Sequence, residues 1–379
     1  VSVLKLAAFV AGLLVVLVTA GSVLRTRVLP RGIGSQISVF VGRIVVRRTF
    51  MYVARLFRDY ETKDRLLSAS APVALLVILM TWLALFLVGY GLLFWALVPV
   101  SIGDALREVG SSMFTLGFST TDTVAATVVD LVAAATGLLT VALQIAYLPV
   151  LYAAFNRRET LVTMLQSRAG SPAWGPEILA RHHIVNIVDN LPEFYAAWET
   201  WSADVAESHA TYPVLLWFRS PHPLRSWVLG LLAVLDSAAM LLALAPGRAP
   251  SEARLCLRMG FTCLRDIATA LRMPFDVDPF PDDPIELTYE EFEGGVERLQ
   301  VVGFPVERSP EEAWPHFKGW RVNYESIAYR LANAVVAPPG PWSGRRTQLE
   351  TVTIAPQRPP NRQPEDPRDE GRPRGSRGY

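Results

Sequence analysis

Between Leu66 and Gly103 the chain carries no charged residue, and a second uncharged run extends from Leu131 to Asn156. Each helical residue advances about 1.5 Å, so about 20 apolar residues cross the hydrocarbon core of a bilayer. Residues 72–98 and 131–155 both reach that length, and residues 6–24 form a third uncharged run. A lipid-exposed backbone must satisfy its own hydrogen bonds, so runs of this kind are expected as helices. The fold class that follows is all-α: a membrane protein with three transmembrane helices, a re-entrant helix and loop between the second and third, and a helical cytosolic domain.

The first run can also be read as a signal peptide, with Lys5 ahead of it and Val18-Thr19-Ala20 as a cleavage-like site. The next segment favours a retained span. From Arg25 to Arg65 there are ten Lys or Arg against three acids, and the positive-inside rule assigns such a loop to the cytoplasm. By alternation residues 72–98 run outward, 101–123 lie at the outer face, and 131–155 return. Asn156-Arg157-Arg158-Glu159 is expected to close that helix on the cytoplasmic side, with everything after it cytosolic. The expected location is the cell membrane, multi-pass. Net charge is only +1, so no nucleic-acid partner is expected, and the lipid bilayer is the first partner.

The expected divisions are 1–24, a transmembrane helix; 25–71, a basic cytoplasmic amphipathic segment; 72–159, outer helix, loop and inner helix; 160–336, a helical cytosolic domain; and 337–379, a disordered tail. Within the basic segment, Val39, Phe40, Ile44, Val45, Phe50, Tyr52, Val53, Leu56 and Phe57 recur at helical spacing with arginines between them. Such a helix can lie in the membrane interface or dock on the cytosolic domain. Residues 226–245 are apolar enough to span, but Asp236 sits near their middle, where an acid costs ~3 kcal/mol. They are read as a buried helix of the soluble bundle, with a fourth span as the alternative. Beyond Pro338 the chain is rich in Pro, Arg and Gly, too poor in apolar groups to offset ordering entropy. Cys256 and Cys263 are seven residues apart on one expected helix, too far to bridge, and are read as reduced thiols.

The polar stretch from Asp104 to Ser119 is too short to be a domain. It ends in Thr115-Leu116-Gly117-Phe118-Ser119, between two apolar spans. A cation filter replaces a hydration shell with oxygens, and backbone carbonyls serve when several copies face one axis. Thr supplies a hydroxyl, Gly permits positive φ, and an aromatic ring wedges the strand against its helix.

At these residues the chain resembles the two-transmembrane, one-pore-loop potassium channel superfamily, in particular bacterial proteins described as potassium channel or two-pore-domain-like channel proteins. The likeness runs through Asp104-Ala105-Leu106 and Met113 to Phe118, and resumes at Thr136-Gly137 and from Gln144 to Glu159. His182-His183 and the stretch Trp320 to Glu325 resemble the same group's helical domain less specifically. The resemblance implies that Thr115, Leu116, Gly117, Phe118 and Ser119 form the selectivity filter, that Gly137 is the inner-helix hinge, and that Pro149 is a kink near the gate. It implies no cofactor and no metal beyond a permeant monovalent cation, with potassium favoured. One pore loop per chain implies a homotetramer.

The chain also departs from that pattern. Ser119 stands where a second glycine is usual, Thr120-Thr121 replaces the acid that follows, Asp122 is displaced, and Arg107 and Glu108 lie close to the cation path. No voltage-sensing arginine repeat and no dinucleotide fingerprint are present. His182, His183, His209 and His222 lie near several acids without metal-ligand spacing, so interface histidines are expected. Trp174, Trp198, Trp201, Trp217 and Trp227 are expected as core anchors. No hydrolase elbow or phosphate loop occurs, and the chain is not expected to be an enzyme. The expected function is a cation channel gated through its cytosolic domain by an unknown ligand. The alternative is a non-conducting membrane-anchored sensor or scaffold on a degenerate channel fold.

Overall fold

A computed structural model describes residues 2–29, 35–119 and 123–347. Its described residues are helical, with no strand among them. In chain order the helices are α1 (Ser2–Arg27), α2 (Gln36–Val39), a π-helical stretch (Phe40–Val46), α3 (Arg47–Ala54), α4 (Tyr60–Ser68), α5 (Ser70–Leu97), α6 (Ile102–Met113) and α7 (Val124–Ala169). There follow α8 (Gly175–Ile184), α9 (Leu191–Thr211), α10 (Trp227–Leu244), α11 (Ser251–Ala270), α12 (Tyr289–Val301), α13 (Pro310–Arg321) and α14 (Glu325–Ala334).

Helices α1, α5 and α7 pack antiparallel in sequence, and polar contacts mark their levels. Lys5 Nζ donates to the Val98 carbonyl (3.3 Å), Trp82 Nε1 donates to Ser22 Oγ (2.9 Å), and the Tyr90 and Thr136 hydroxyls meet at 2.8 Å. Glycines let the backbones approach. A Cβ on Gly12 would lie 2.7 Å from the Gly89 carbonyl oxygen, the close approach that small residues permit between apolar helices. Leu13, Leu17, Leu76, Met80, Leu138 and Ile145 point outward, uncovered by the protein. Apolar area left open on that scale is compatible with a bilayer and unfavourable in water.

Four helical stretches are long and apolar enough to cross a membrane by length and composition, and they differ in burial. Only 22 %, 44 % and 28 % of the most apolar windows of α1, α4–α5 and α7 is covered, against 94 % for α10. Helix α10 is the axis of the second unit, wrapped by α8, α9, α11, α13 and α14. Its mid-helix acid is partnered through one oxygen by two donors. Arg321 Nη1 donates to Asp236 Oδ1 (2.5 Å) and the Tyr324 hydroxyl donates to the same oxygen (2.9 Å). Arg321 also binds Glu325 Oε1 (2.8 Å), the Tyr329 hydroxyl and the Trp342 carbonyl, so no charge at this centre lacks a partner. Burial pushes the Asp236 carboxyl up to about 6, with Arg321 pulling against it. Trp198, Trp201 and Trp227 are buried in this core, as expected for anchors. Both cysteines are buried free thiols.

Three boundaries expected from sequence are corrected. Helix α7 does not close at Asn156–Glu159 but continues to Ala169 at a glycine cap. The reason is Arg158, fully buried in the second unit, where it binds Glu159 Oε1 and the carbonyls of Leu215 and Phe218. The segment 337–379 was expected to be disordered from its first residue, yet residues 337–347 are packed. Trp342 inserts among Trp174, Phe317 and α12, and Arg346 donates to the Ala337 and Pro338 carbonyls, so two side chains supply what composition lacks. Residues 348–379 lie outside the described part. The basic segment 25–71 holds one continuous helical run, 36–54, made of α2, the π-helical stretch and α3; residues 55–59 separate it from α4, and the segment's ends are absorbed into α1 and α5.

Candidate functional site

Helix α6 begins with a side-chain cap. Ser101 Oγ accepts from the Asp104 amide (3.2 Å) and donates to Asp104 Oδ2 (2.7 Å), which supports the first turn and places an acid at its positive end. The helix is wedged between α5 and α7 by close approach on both sides. A Cβ on Gly91 would lie 2.6 Å from Leu106 Cδ2, and one on Gly137 would lie 2.5 Å from the Met113 carbonyl oxygen. Gly137 is therefore the point where α7 touches the last turn of α6.

The chain turns at Phe114. Thr115 adopts φ +55° and Gly117 φ +68°, both in the left-handed region; glycine enters it freely, and the threonine is held there by its neighbours. Every amide from Thr115 to Ser119 then points back to the helix end. Thr115 N donates to the Ser112 carbonyl (3.1 Å), and Leu116 N and Gly117 N donate to the Ser111 carbonyl (2.8 and 3.5 Å). Phe118 N and Ser119 N both donate to Ser111 Oγ (3.0 and 3.2 Å). Among the described residues no donor reaches the carbonyl oxygens of Thr115 to Ser119. Thr115, Leu116, Gly117 and Phe118 are exposed. The helix C-terminus beneath them carries the negative end of its dipole, so the segment offers unclaimed oxygens on a negative platform.

Two charged neighbours modify that platform. Glu108 is only 4 % exposed and accepts a hydrogen bond from Ser119 Oγ through one oxygen. Its other oxygen, and Oδ1 of the nearby Asp130, are buried without a partner among the described residues. The Arg107 guanidinium sits over the Phe118 ring, 5.4 Å from its centroid, as a cation–π contact.

The five positions expected as a filter thus follow Met113, which Gly137 touches, after the single residue Phe114. Pro149 does not join them. It lies inside α7, twelve residues further along, about 18 Å by helical rise. Thr120, Thr121 and Asp122 lie outside the described residues. The histidines are dispersed: His182 packs on Phe194 and His209 on Trp227, and among the described residues no group of His, Cys, Asp or Glu is arranged to hold a metal. Sequence reasoning missed Ser111, the residue that gathers four of the five amides through its carbonyl and hydroxyl. The available signal was the pair Ser111-Ser112 in the last turn of an otherwise apolar-faced helix.

No protein-family model, curated protein or solved structure matches the chain.

Proposed function

We propose that α1, α5 and α7 cross the bilayer, that α6 and residues 114–119 form a re-entrant pore loop, and that four copies surround a cation path. The single observation that carries this reading is the loop's polarity: its amides are tied inward to Ser111 and Ser112 while, among the described residues, no donor reaches its carbonyls. Four such loops around one axis would present rings of oxygens to a dehydrating cation. The Thr-x-Gly-aromatic order favours potassium. Basic residues gather at one end of the spans, Arg25, Arg27 and the α2–α4 segment together with Arg157 and Arg168, so that end is assigned to the cytoplasm with the second unit. Helix α7 runs from the loop into that unit without a break, which supports gating through it.

A second reading, a non-conducting membrane-anchored sensor or scaffold, is favoured by one local feature. Ser119 is bound to Glu108 and Arg107 covers Phe118, which place an acid and a cation beside the outer oxygens.

Cation flux into proteoliposomes separates the two. Potassium flux exceeding sodium flux, and lost in Gly117→Asp, is the expected result. Equal flux of both ions identifies a relaxed filter. No flux from the folded protein under any ionic gradient favours the sensor or scaffold.

A further inference from the structure

The segment joining α1 to α5 has two faces of opposite character. One is taken up by the protein. Val41 and Val46 are buried, and a Cβ on Gly42 would touch Ile78 of α5 at 3.5 Å. Arg47 stacks on Trp217, 3.7 Å from the ring centroid, and donates to the Ala334 carbonyl at the end of α14. Ala54 packs with Leu67 and Val336, and Arg219 closes the joint on Asp64 (2.5 Å) and the Tyr60 hydroxyl (2.9 Å). One side of the segment therefore docks on the second unit, one of the two alternatives the sequence leaves open.

The other side is bare. Phe40, Ile44, Val45, Tyr52 and Leu56 stand outward, Leu56 at 74 % exposure. Arg43, Arg48, Arg55 and Arg58 are all exposed among them, and Asp59, the one acid between Phe40 and Tyr60, is engaged as the N-cap of α4. Bulky apolar groups beside arginines form the pattern of a surface that sinks its rings below the headgroups while guanidinium groups reach phosphate.

We propose that this face is seated in the cytoplasmic membrane interface and prefers anionic lipid headgroups. The proposal rests on the membrane topology given above and adds its lipid partner. Two observations commit it to lipid. The helices on either side of it are also uncovered: Leu24, Val28 and Leu29 at the end of α1 and Leu76 near the start of α5 are exposed apolar residues. Its fixed charge is basic, so a second copy docking through the same face would set arginine against arginine. Each arginine held near an anionic surface strengthens attachment about fivefold, so several together make a marked lipid preference.

The test uses the full-length protein with a spin label at Leu56→Cys, and a second preparation labelled at Tyr52→Cys. Cys256 and Cys263 are buried, and burial raises both thiols, so the label goes to the introduced site. Label depth is measured by collision with oxygen and with a water-soluble nickel chelate, in phosphatidylcholine vesicles and in vesicles also containing phosphatidylglycerol. The expected result is a label below the headgroups, deeper with phosphatidylglycerol. The triple variant Arg43→Gln/Arg48→Gln/Arg55→Gln should lose that difference between vesicles. A label open to water in both vesicles overturns the proposal. So does spin–spin broadening that vanishes on dilution with unlabelled protein, which would give the face to a second copy. A companion label at Met80→Cys, exposed on α5, tests the underlying topology separately: if Met80 reads hydrocarbon and Leu56 reads water, the spans stand and only the lipid face fails. None of these readouts depends on ion conduction.

Discussion

Helices α5 and α10 are of comparable apolarity, with mean hydropathy 2.6 and 2.1 over their best windows, yet the protein covers 44 % of one window and 94 % of the other. The difference lies in what each helix asks of its surroundings. Helix α5 contains no charge, so hydrocarbon can cover it as well as protein can. Helix α10 contains Asp236, which needs donors at fixed positions, and only a protein neighbour supplies them: Arg321 and Tyr324 from the end of α13 and beyond. Hydropathy measures the wish to leave water. A single buried charge decides where the helix can go.

The comparison breaks most visibly if that partner is removed. Arg321→Met in the full-length protein is expected to cost about 3–5 kcal/mol of unfolding free energy at pH 7.5, because the carboxylate stays buried without its counter-charge. The Asp236 carboxyl is already raised by burial to about 6, and its folded value exceeds the unfolded one. Its contribution is therefore fully present below about pH 4 and fades as pH rises through about 6. Arg321 opposes that rise, so the variant should come closest to the natural protein in acid. Denaturant melts from pH 4.5 to 7.5 test this; a cost that does not shrink toward acid pH would show that Asp236 is not the group left stranded.

On the membrane side the matching perturbation is steric. Gly137→Ala places a methyl carbon against the Met113 carbonyl, and overpacking of this kind is expected to cost about 1–3 kcal/mol. Thermal unfolding in detergent reads the loss, and flux reads whether the loop moves with it. Unchanged stability and flux would mean that α6 and α7 are free to separate.

The smallest effect concerns His209, buried in the second unit. Its Nδ1–H donates to the Val205 carbonyl (3.0 Å), which leaves Nε2 to accept from Arg158 Nη1 (3.1 Å). Burial first, then the Arg158 charge, holds its pKa well below the usual histidine range. The unfolded chain takes up the proton more readily, so stability should be complete above about pH 6.5 and fall by about 1.4 kcal/mol per unit below it. His182, also lowered by burial, adds a parallel slope. His209→Gln should flatten the acid limb of a melting-temperature profile by roughly half; an unchanged slope would place the titration elsewhere.

What could be read from the sequence was local. Uncharged runs announced the long helices, and the Thr-Leu-Gly-Phe order singled out the segment after α6. What could not be read was pairing over distance. Arg321 lies 85 residues from Asp236, and nothing in either neighbourhood names the other. Trp342 sits in a proline-rich stretch whose average composition hides one large side chain, and Arg158 looks like a membrane-boundary arginine until its carbonyl partners at Leu215 and Phe218 are seen. At the loop the residue types were visible, but the inward turn of four of its five amides depends on Ser111, whose role is geometric.

Helix α7 is 46 residues long, roughly 69 Å of unbroken rod, about twice what a bilayer core requires. Its far half is gripped by the second unit through Val162, Leu165 and Ala169, and its near half by Met113 through Gly137. Under the proposed gating, any coupling between the bundle and the loop would run along this one helix, with Pro149, which removes a backbone hydrogen bond, as its weakest point.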